Sequence, residues 1–337
     1  MRRLATIRVI DEIRPIENAD AIECAIVGGW TVVVQKNEYM PGDVAVYCEI
    51  DSWIPHGLAP FLSKGKSPRE YNGVVGERLR TIKLRGQLSQ GLLLPLKHLT
   101  NYGADLAVGA DVTDAMGIQK WEAPIPAQLS GQVRGNFPTA VPKTDQERVQ
   151  NLTRQVAQWV SDLSMWEITE KLDGSSCTMY LDHDNEFHVC SRNLDLKRDE
   201  NNSFWKVAVQ NNVEGRMITN NLEGYAIQGE LIGEGIQGNP YGLKGQDFYV
   251  FDIYNVTSGA YLQPEVRRVI CERLGLKHVP VVCPVINLTG NVETLLKWAE
   301  GKSYLNDKTE REGIVFKRTD GKESFKAISN KFLLGER

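Results

Sequence analysis

Between residues 121 and 143 the chain holds four prolines (Pro124, Pro126, Pro138, Pro142) and two glycines (Gly131, Gly135). Proline lacks a backbone donor and fixes φ, so a stretch this rich in it continues neither a helix nor an interior strand. Such a stretch divides a chain, and 337 residues are enough for two bodies that each bury a core. The expected organisation is a β-rich domain over 1–120, a linker over 121–143 and a larger domain over 144–337.

The first part reads as short strands. Trp30–Lys36 and Val44–Ile50 are rich in β-branched and aromatic residues, and the turn formers Pro41-Gly42-Asp43 precede the second run. Short strands between Gly/Pro turns predict a small barrel. The stretch from Ile13 to Val27, with Asn18-Ala19-Asp20, resembles the opening of tRNA-binding OB domains. From Lys64 to Arg85, seven basic residues (Lys64, Lys66, Arg69, Arg78, Arg80, Lys83, Arg85) outnumber two acidic ones (Glu70, Glu77). Such a run neutralises phosphates, and OB-like barrels commonly bind oligonucleotides. The net charge of −4 adds no support, so the expectation of a nucleic-acid partner rests on this local run.

No apolar run approaches the roughly 18 residues of a membrane span. The N-terminus, Met1-Arg2-Arg3-Leu4-Ala5-Thr6-Ile7-Arg8, lacks the apolar core of a signal peptide. The six cysteines (Cys24, Cys48, Cys177, Cys190, Cys271, Cys283) form no C-x-x-C pair and no Cys/His cluster at metal spacing. Reduced thiols in a soluble intracellular protein, of cytoplasm or nucleus and without a membrane partner, are expected.

The second part opens on Thr144-Asp145-Gln146-Glu147, a capping-box sequence. Val149, Leu152, Val156, Trp159, Val160 and Leu163 follow at helical spacing, which predicts a helix starting there. Strands and shorter helices come next: a strand at Trp166–Thr169, a hairpin turning at Asp182-His183-Asp184-Asn185 and a buried strand at Phe248–Ile253. Pro264–Leu274 reads as a helix closed by Gly275, and Val292–Ala299 as another.

Lys171-Leu172-Asp173-Gly174 follows the strand at 166–169. A lysine is a covalent nucleophile when neutral, which requires burial or neighbouring positive charge. Asp173, two positions on, projects from the same side of an extended chain and is placed to hold a hydrated metal ion beside a phosphate. Gly174 permits close backbone approach. Gly233-Glu234-Gly235-Ile236-Gln237-Gly238 fits the dinucleotide pattern G-x-G-x-x-G, but Asn239-Pro240-Tyr241-Gly242 breaks the helix that pattern requires. It is read as a loop.

Lys171-Leu172-Asp173-Gly174, Ser191-Arg192-Asn193, Gln228-Gly229-Glu230-Leu231-Ile232-Gly233, Phe251-Asp252-Ile253, Glu312-Gly313-Ile314-Val315 and Phe325-Lys326-Ala327-Ile328 occur in that order. Together they resemble the motifs of the covalent nucleotidyltransferases, the superfamily of ATP-dependent ligases and mRNA capping enzymes. The likeness covers about 165–335.

The resemblance implies that Lys171 attacks ATP and carries AMP, and that Glu170 lies beside the adenine, largely through its backbone. It implies that Arg192 meets ribose, phosphate or the RNA end, and that Phe251 stacks on the base, with Tyr249 on the same face as a possible substitute. Asp173, Glu230 and Glu312 would hold Mg2+ or Mn2+. Lys326 would neutralise the α-phosphate and help keep Lys171 uncharged. Related RNA ligases carry a second lysine where this chain has Ile328. Lys331 is the candidate for that missing charge.

Eleven residues follow Lys326, too few for a trailing OB domain, whereas an OB-like region comes first. That order resembles the fifth family of ATP-dependent RNA ligases. The fold implied is α+β: an N-terminal OB-like β-barrel plus a C-terminal nucleotidyltransferase domain of ATP-grasp-like antiparallel sheets with helices. The implied partners are ATP and an RNA end bearing a 5′-phosphate. Two alternatives stay open, a GTP-dependent capping-type enzyme and a non-catalytic RNA-binding protein.

Overall fold

A computed structural model of the chain describes residues 3–99, 107–122 and 132–335. The chain divides into two compact units, Met1–Pro124 and Ile125–Arg337. Among the described residues no helix is long and apolar enough to cross a membrane. All six cysteines are free thiols, and five are buried.

The first unit is built of short antiparallel strands. Val44–Cys48 lies between Ala5–Val9 and Leu92–Leu94. Its side chains alternate between two cores, because successive residues of a strand face opposite sides. Val46 and Cys48 join Leu4, Ile7 and Ile54, while Ala45 and Tyr47 join Trp30, Val32 and Leu93. The predicted strand at Trp30 forms as Trp30–Gln35, beside Ile22–Val27. Of the seven basic residues noted above, Arg69 pairs with Glu77, and Arg78 pairs with Asp51 and lies 3.7 Å over the Trp121 ring. The hairpin Ile82–Leu84/Gln87–Ser89 carries Lys83 and Arg85, both exposed.

Two sheets make up the second unit. The five-stranded sheet runs Glu147–Arg148, Ser324–Ile328, Gly313–Arg318, Met165–Lys171, Val281–Asn287. One face is apolar: Trp166, Ile168, Ile314, Phe316, Phe325 and Ala327 pack with residues of the helices Thr153–Ser161 and Val292–Ala299. The alternate residues, Glu167, Thr169, Lys171, Val315, Lys317 and Lys326, belong to the other face and are mostly polar. The larger sheet includes Ser175–Leu181, Tyr225–Gly233 and Gln246–Asn255. Its apolar side packs against the helices Ser203–Gln210, Val213–Thr219 and Pro264–Leu274. The hairpin at 182–185 and the helices at 264 and 292 form where the sequence places them, and Gly275 ends its helix at φ 58°.

Two local expectations give way to long-range pairing. Thr144–Glu147 caps no helix: Glu147–Arg148 instead pairs in parallel with Phe325–Lys326, and the helix begins at Thr153. Of the stretch expected as linker, 123–131 lie outside the described residues, whereas Val133–Asn136 pairs with Leu194–Leu196 in the larger sheet. Phe137 and Val141 are buried beyond it.

The sheets are tied together by buried charge. Glu167 accepts from both Arg267 and Arg268 of the helix Pro264–Leu274, and Glu167 and Arg267 are fully buried. Arg267 Nη1 lies 3.6 Å from Asp252, which pairs with Lys317, and Arg267 Nε donates to His278 Nε2 at 2.9 Å. Burial and the neighbouring Arg267 lower His278 to about 3, so its ring accepts as a neutral base. Removing one partner of a buried pair costs about 3–5 kcal/mol. Glu167→Gln is therefore expected to lose roughly that much unfolding free energy in urea. An unchanged midpoint would contradict this account of the network.

Candidate active site

Lys171 ends the strand Met165–Lys171, and Leu172-Asp173-Gly174 carries the chain across to Ser175–Leu181 in the other sheet. Leu172 anchors the crossing in a cluster with Ile232, Tyr241 and Val279. The crossing is tight at Gly174, where a Cβ would lie 2.4 Å from the Leu231 carbonyl oxygen and 2.8 Å from Glu230 Cγ. Any larger residue pushes these strands apart. Asp173 N–H donates to the Tyr241 hydroxyl at 2.6 Å. Tyr241 is buried, and burial raises its phenol well above the ordinary value, so it stays neutral.

Lys171 pairs in register with Gly313, which brings the preceding residue, Glu312, alongside it. Lys171 Nζ donates to Glu312 Oε2 at 2.8 Å, and the lysine side chain is 25% exposed. Burial lowers the Lys171 ammonium, but Glu312, Glu230 and Asp173 outweigh it, and the net shift is upward. Without a cation among these acids the balance favours the ammonium, and the nucleophile requires the neutral amine. Glu230 sits on Tyr225–Gly233 opposite Ser176. Burial pushes its carboxyl up to about 8; Lys171 and Arg192 oppose the rise, while Glu312 and Asp173 add to it.

Three carboxyl groups gather around one ammonium, and in the absence of further positive charge Glu230 keeps its proton up to about 8. Their oxygens are the hard donors that Mg2+ and Mn2+ prefer, and a dication there would offset the burial of Glu230. The donor types suit such an ion, although Asp173, Glu230 and Glu312 do not bring their donor atoms within 4.8 Å of one another.

Lys326 lies on the same face of the sheet as Lys171, in the row of Val315 and Thr169. Ile328 occupies the row of Lys171 itself and is buried. Arg148, the parallel partner of Lys326, is also buried. Sequence reading passed over Arg148, because only its pairing with a distant strand puts it here. Lys331 is exposed at the start of Asn330–Leu334, and its charge lowers Glu310.

Glu170 points to the other side of its strand. Its Oε2 accepts from Tyr304 N–H at 2.8 Å, its own N–H donates to Pro280 O at 2.8 Å, and burial raises its carboxyl. Arg192 is exposed and pairs with Asp145, yet it lies near enough to lower Glu230.

Phe251 sits in a β-bulge, between Val250 opposite Gly229 and Asp252 opposite Gln228. The bulge breaks the alternation of the strand. Val250 and Ile253 face the helices, Phe251 packs with Leu172 and Tyr241, and Asp252 turns toward Lys317. Tyr249 joins the same cluster as Phe251. Lys317 Nζ donates to Phe251 O at 2.8 Å and lies 5.7 Å from the ring centroid. Burial lowers Lys317 to about 8 against the pull of Asp252. Lys317 is a positioning residue for Phe251 that the sequence did not single out, although it ends the Glu312-Gly313-Ile314-Val315-Phe316 run.

The RNA ligase family model matches residues 164–328, and an OB-fold domain model matches residues 4–96. No curated protein matches the chain. Among solved structures, a lysine-to-alanine mutant of Naegleria gruberi RNA ligase with ATP and Mn is 47% identical, with a TM-score of 0.91 and 98% of each chain covered. A glutamate-to-alanine mutant of that ligase with AMP and Mn gives the same figures. The same ligase with PPi is also 47% identical, with a TM-score of 0.91 and 99% of this chain and 98% of that one covered.

The Glu230 shift sets a pH dependence. Glu230 gives up its proton near 4.5 when unfolded and near 8 when folded, so between these values the folded chain binds more protons. Its contribution to stability is therefore lost as pH rises through that window. Urea unfolding of the metal-free chain at about pH 5 and about pH 8 is expected to show a smaller decline in Glu230→Gln than in the parent. Equal declines would contradict the assignment.

Proposed function

The chain belongs to the RNA ligase family, and from that premise we propose that it joins RNA ends using ATP, with AMP carried on Lys171. The observation that carries this reading is the position of Lys171, held by Glu312 at a crossing lined by Asp173 and Glu230.

Lys171 Nζ attacks the α-phosphorus of ATP; a P–N bond forms, the bond to the β-phosphate oxygen breaks, and pyrophosphate leaves. The attack needs the neutral amine, so the ammonium first passes a proton to Glu312, which already accepts from Nζ. Asp173, Glu230 and Glu312 would hold the divalent cation. When bound by these residues it would supply positive charge for the phosphoryl oxygens and offset the carboxylate field around Lys171. Lys326, with Arg148 beside it, faces the phosphates and stabilises the charge that builds on them. Phe251, set by the bulge and held by Lys317, offers its ring to the adenine. The backbone at Glu170 forms the adjoining wall, its side chain being engaged with Tyr304. Arg192 leaves Asp145 to meet ribose, phosphate or the RNA end. Lys331 is the candidate for the positive charge that Ile328 does not supply.

AMP then passes from Lys171 to the 5′-phosphate of an RNA end. A 3′-hydroxyl attacks that activated phosphate, a phosphodiester forms and AMP leaves. Residues 1–120 hold the RNA, with the basic run from Lys64 to Arg85 as the phosphate-facing surface.

The test is a nicked duplex with a labelled 5′-phosphate RNA strand, incubated with Mg2+ and either ATP or GTP. Sealing with ATP, an adenylated RNA intermediate and no product with GTP are expected. Sealing that proceeds equally well with GTP would overturn the nucleotide assignment, and unimpaired nick sealing after deletion of 1–120 would overturn the role of the first unit.

A further inference from the structure

We propose that Asp182, Glu186 and His188 form a second metal site, for a borderline dication such as zinc, at the hairpin joining Ser175–Leu181 to Phe187–Cys190.

The turn fixes the donors. Asp182 Oδ1 accepts the backbone N–H groups of Asp184 at 2.9 Å and Glu186 at 2.7 Å, while its Oδ2 lies 3.5 Å from His188 Nε2. Glu186 Oε2 lies 4.0 Å from the same nitrogen. One donor atom from each of the three residues lies within 4.8 Å of the others. Ligands at about 2.0–2.2 Å from one zinc ion span comparable separations.

An independent observation comes from the other side of the ring. His188 Nδ1 lies 2.8 Å from Oδ2 of Asp195, which is buried on the neighbouring strand Leu194–Leu196 and lies outside the donor set. An ionised carboxylate only accepts, so Nδ1 carries a proton toward Asp195. Nε2 then faces Asp182 and Glu186, where either its own second proton or a metal cation must stand between nitrogen and carboxylates. A carboxylate behind a histidine is also the arrangement that orients imidazole ligands in metal sites.

Charge points the same way. Arg134 pairs with Glu186 and lies 3.8 Å from Asp195, while Asp182 has its ion-pair contact with His188. The geometry is rigid, since Tyr180 stacks on the His188 ring at 5.6 Å and 24°. One imidazole and two carboxylates suit zinc better than magnesium, which prefers oxygen donors alone. Ser176, opposite Glu230, and Leu181 lie toward the two ends of one strand, five residues apart, or roughly 16 Å. An ion at the hairpin is thus remote from the phosphates, and it would tie the turn to Leu194–Leu196.

The test is metal analysis of the full chain after dialysis against zinc with magnesium in excess, which keeps the catalytic carboxylates occupied. The parent is expected to retain one zinc more than His188→Gln and Asp182→Asn, and zinc should raise the melting temperature of the parent alone. Asp182→Asn keeps the Oδ1 that closes the turn, so its loss of zinc cannot be ascribed to misfolding. Adenylate formation in magnesium should be unchanged in both variants. Equal zinc in the parent and both variants would overturn the site.

Discussion

Lys171 Nζ and Glu312 Oε2, 2.8 Å apart, join the end of one strand to the start of its antiparallel neighbour. At this pair the chain leaves the five-stranded sheet and crosses, through Leu172-Asp173-Gly174, to the larger one. The crossing is short because Gly174 lies against Leu231 and Glu230. It therefore brings the last residue of one sheet within the field of a carboxylate on the other. The strand period does the rest: with Trp166 and Ile168 committed to the helices, Thr169 and Lys171 must face the opposite way.

Two sets of buried charges in this unit have opposite balances. Glu167, Asp252, Arg267, Arg268 and Lys317 pair acid with base, and the network is a fixed strut between helix and sheets. Around Lys171, three carboxyl groups gather on one ammonium, and Glu230 is left with its carboxyl raised to about 8. The strut holds Phe251 through Lys317, so the uncompensated set and the aromatic wall keep a constant relation. A site short of positive charge, beside a rigid wall, is suited to receive a cation and a nucleotide together.

Features carried by neighbouring residues were legible in the sequence. The hairpin turn at 182–185, the helix ended by Gly275 and the strand leading to Lys171 depend on local turn chemistry and periodicity. The order of motifs brought Lys171, Asp173, Glu230 and Glu312 to one place. What was missed depends on partners far along the chain. Thr144–Glu147 has the local signature of a cap, but pairing of Glu147–Arg148 with Phe325–Lys326 overrides it. The same pairing places Arg148 beside Lys326, which no local pattern announces. The bulge that turns Phe251 and Asp252 to one side, and the Lys317 that meets them, likewise exist only once two sheets face each other. The balance at Lys171 depends on distance in the same way: burial and three acids act on its ammonium in opposite directions.

The central claim is that Lys171 is the residue that carries AMP. Incubation with ATP and Mg2+ without RNA, followed by proteolysis and mass spectrometry of the peptides, tests it most directly. The account predicts one AMP per chain, on the peptide containing Lys171, and none on Lys171→Ala. AMP found on any other residue, or retained by Lys171→Ala, would contradict it.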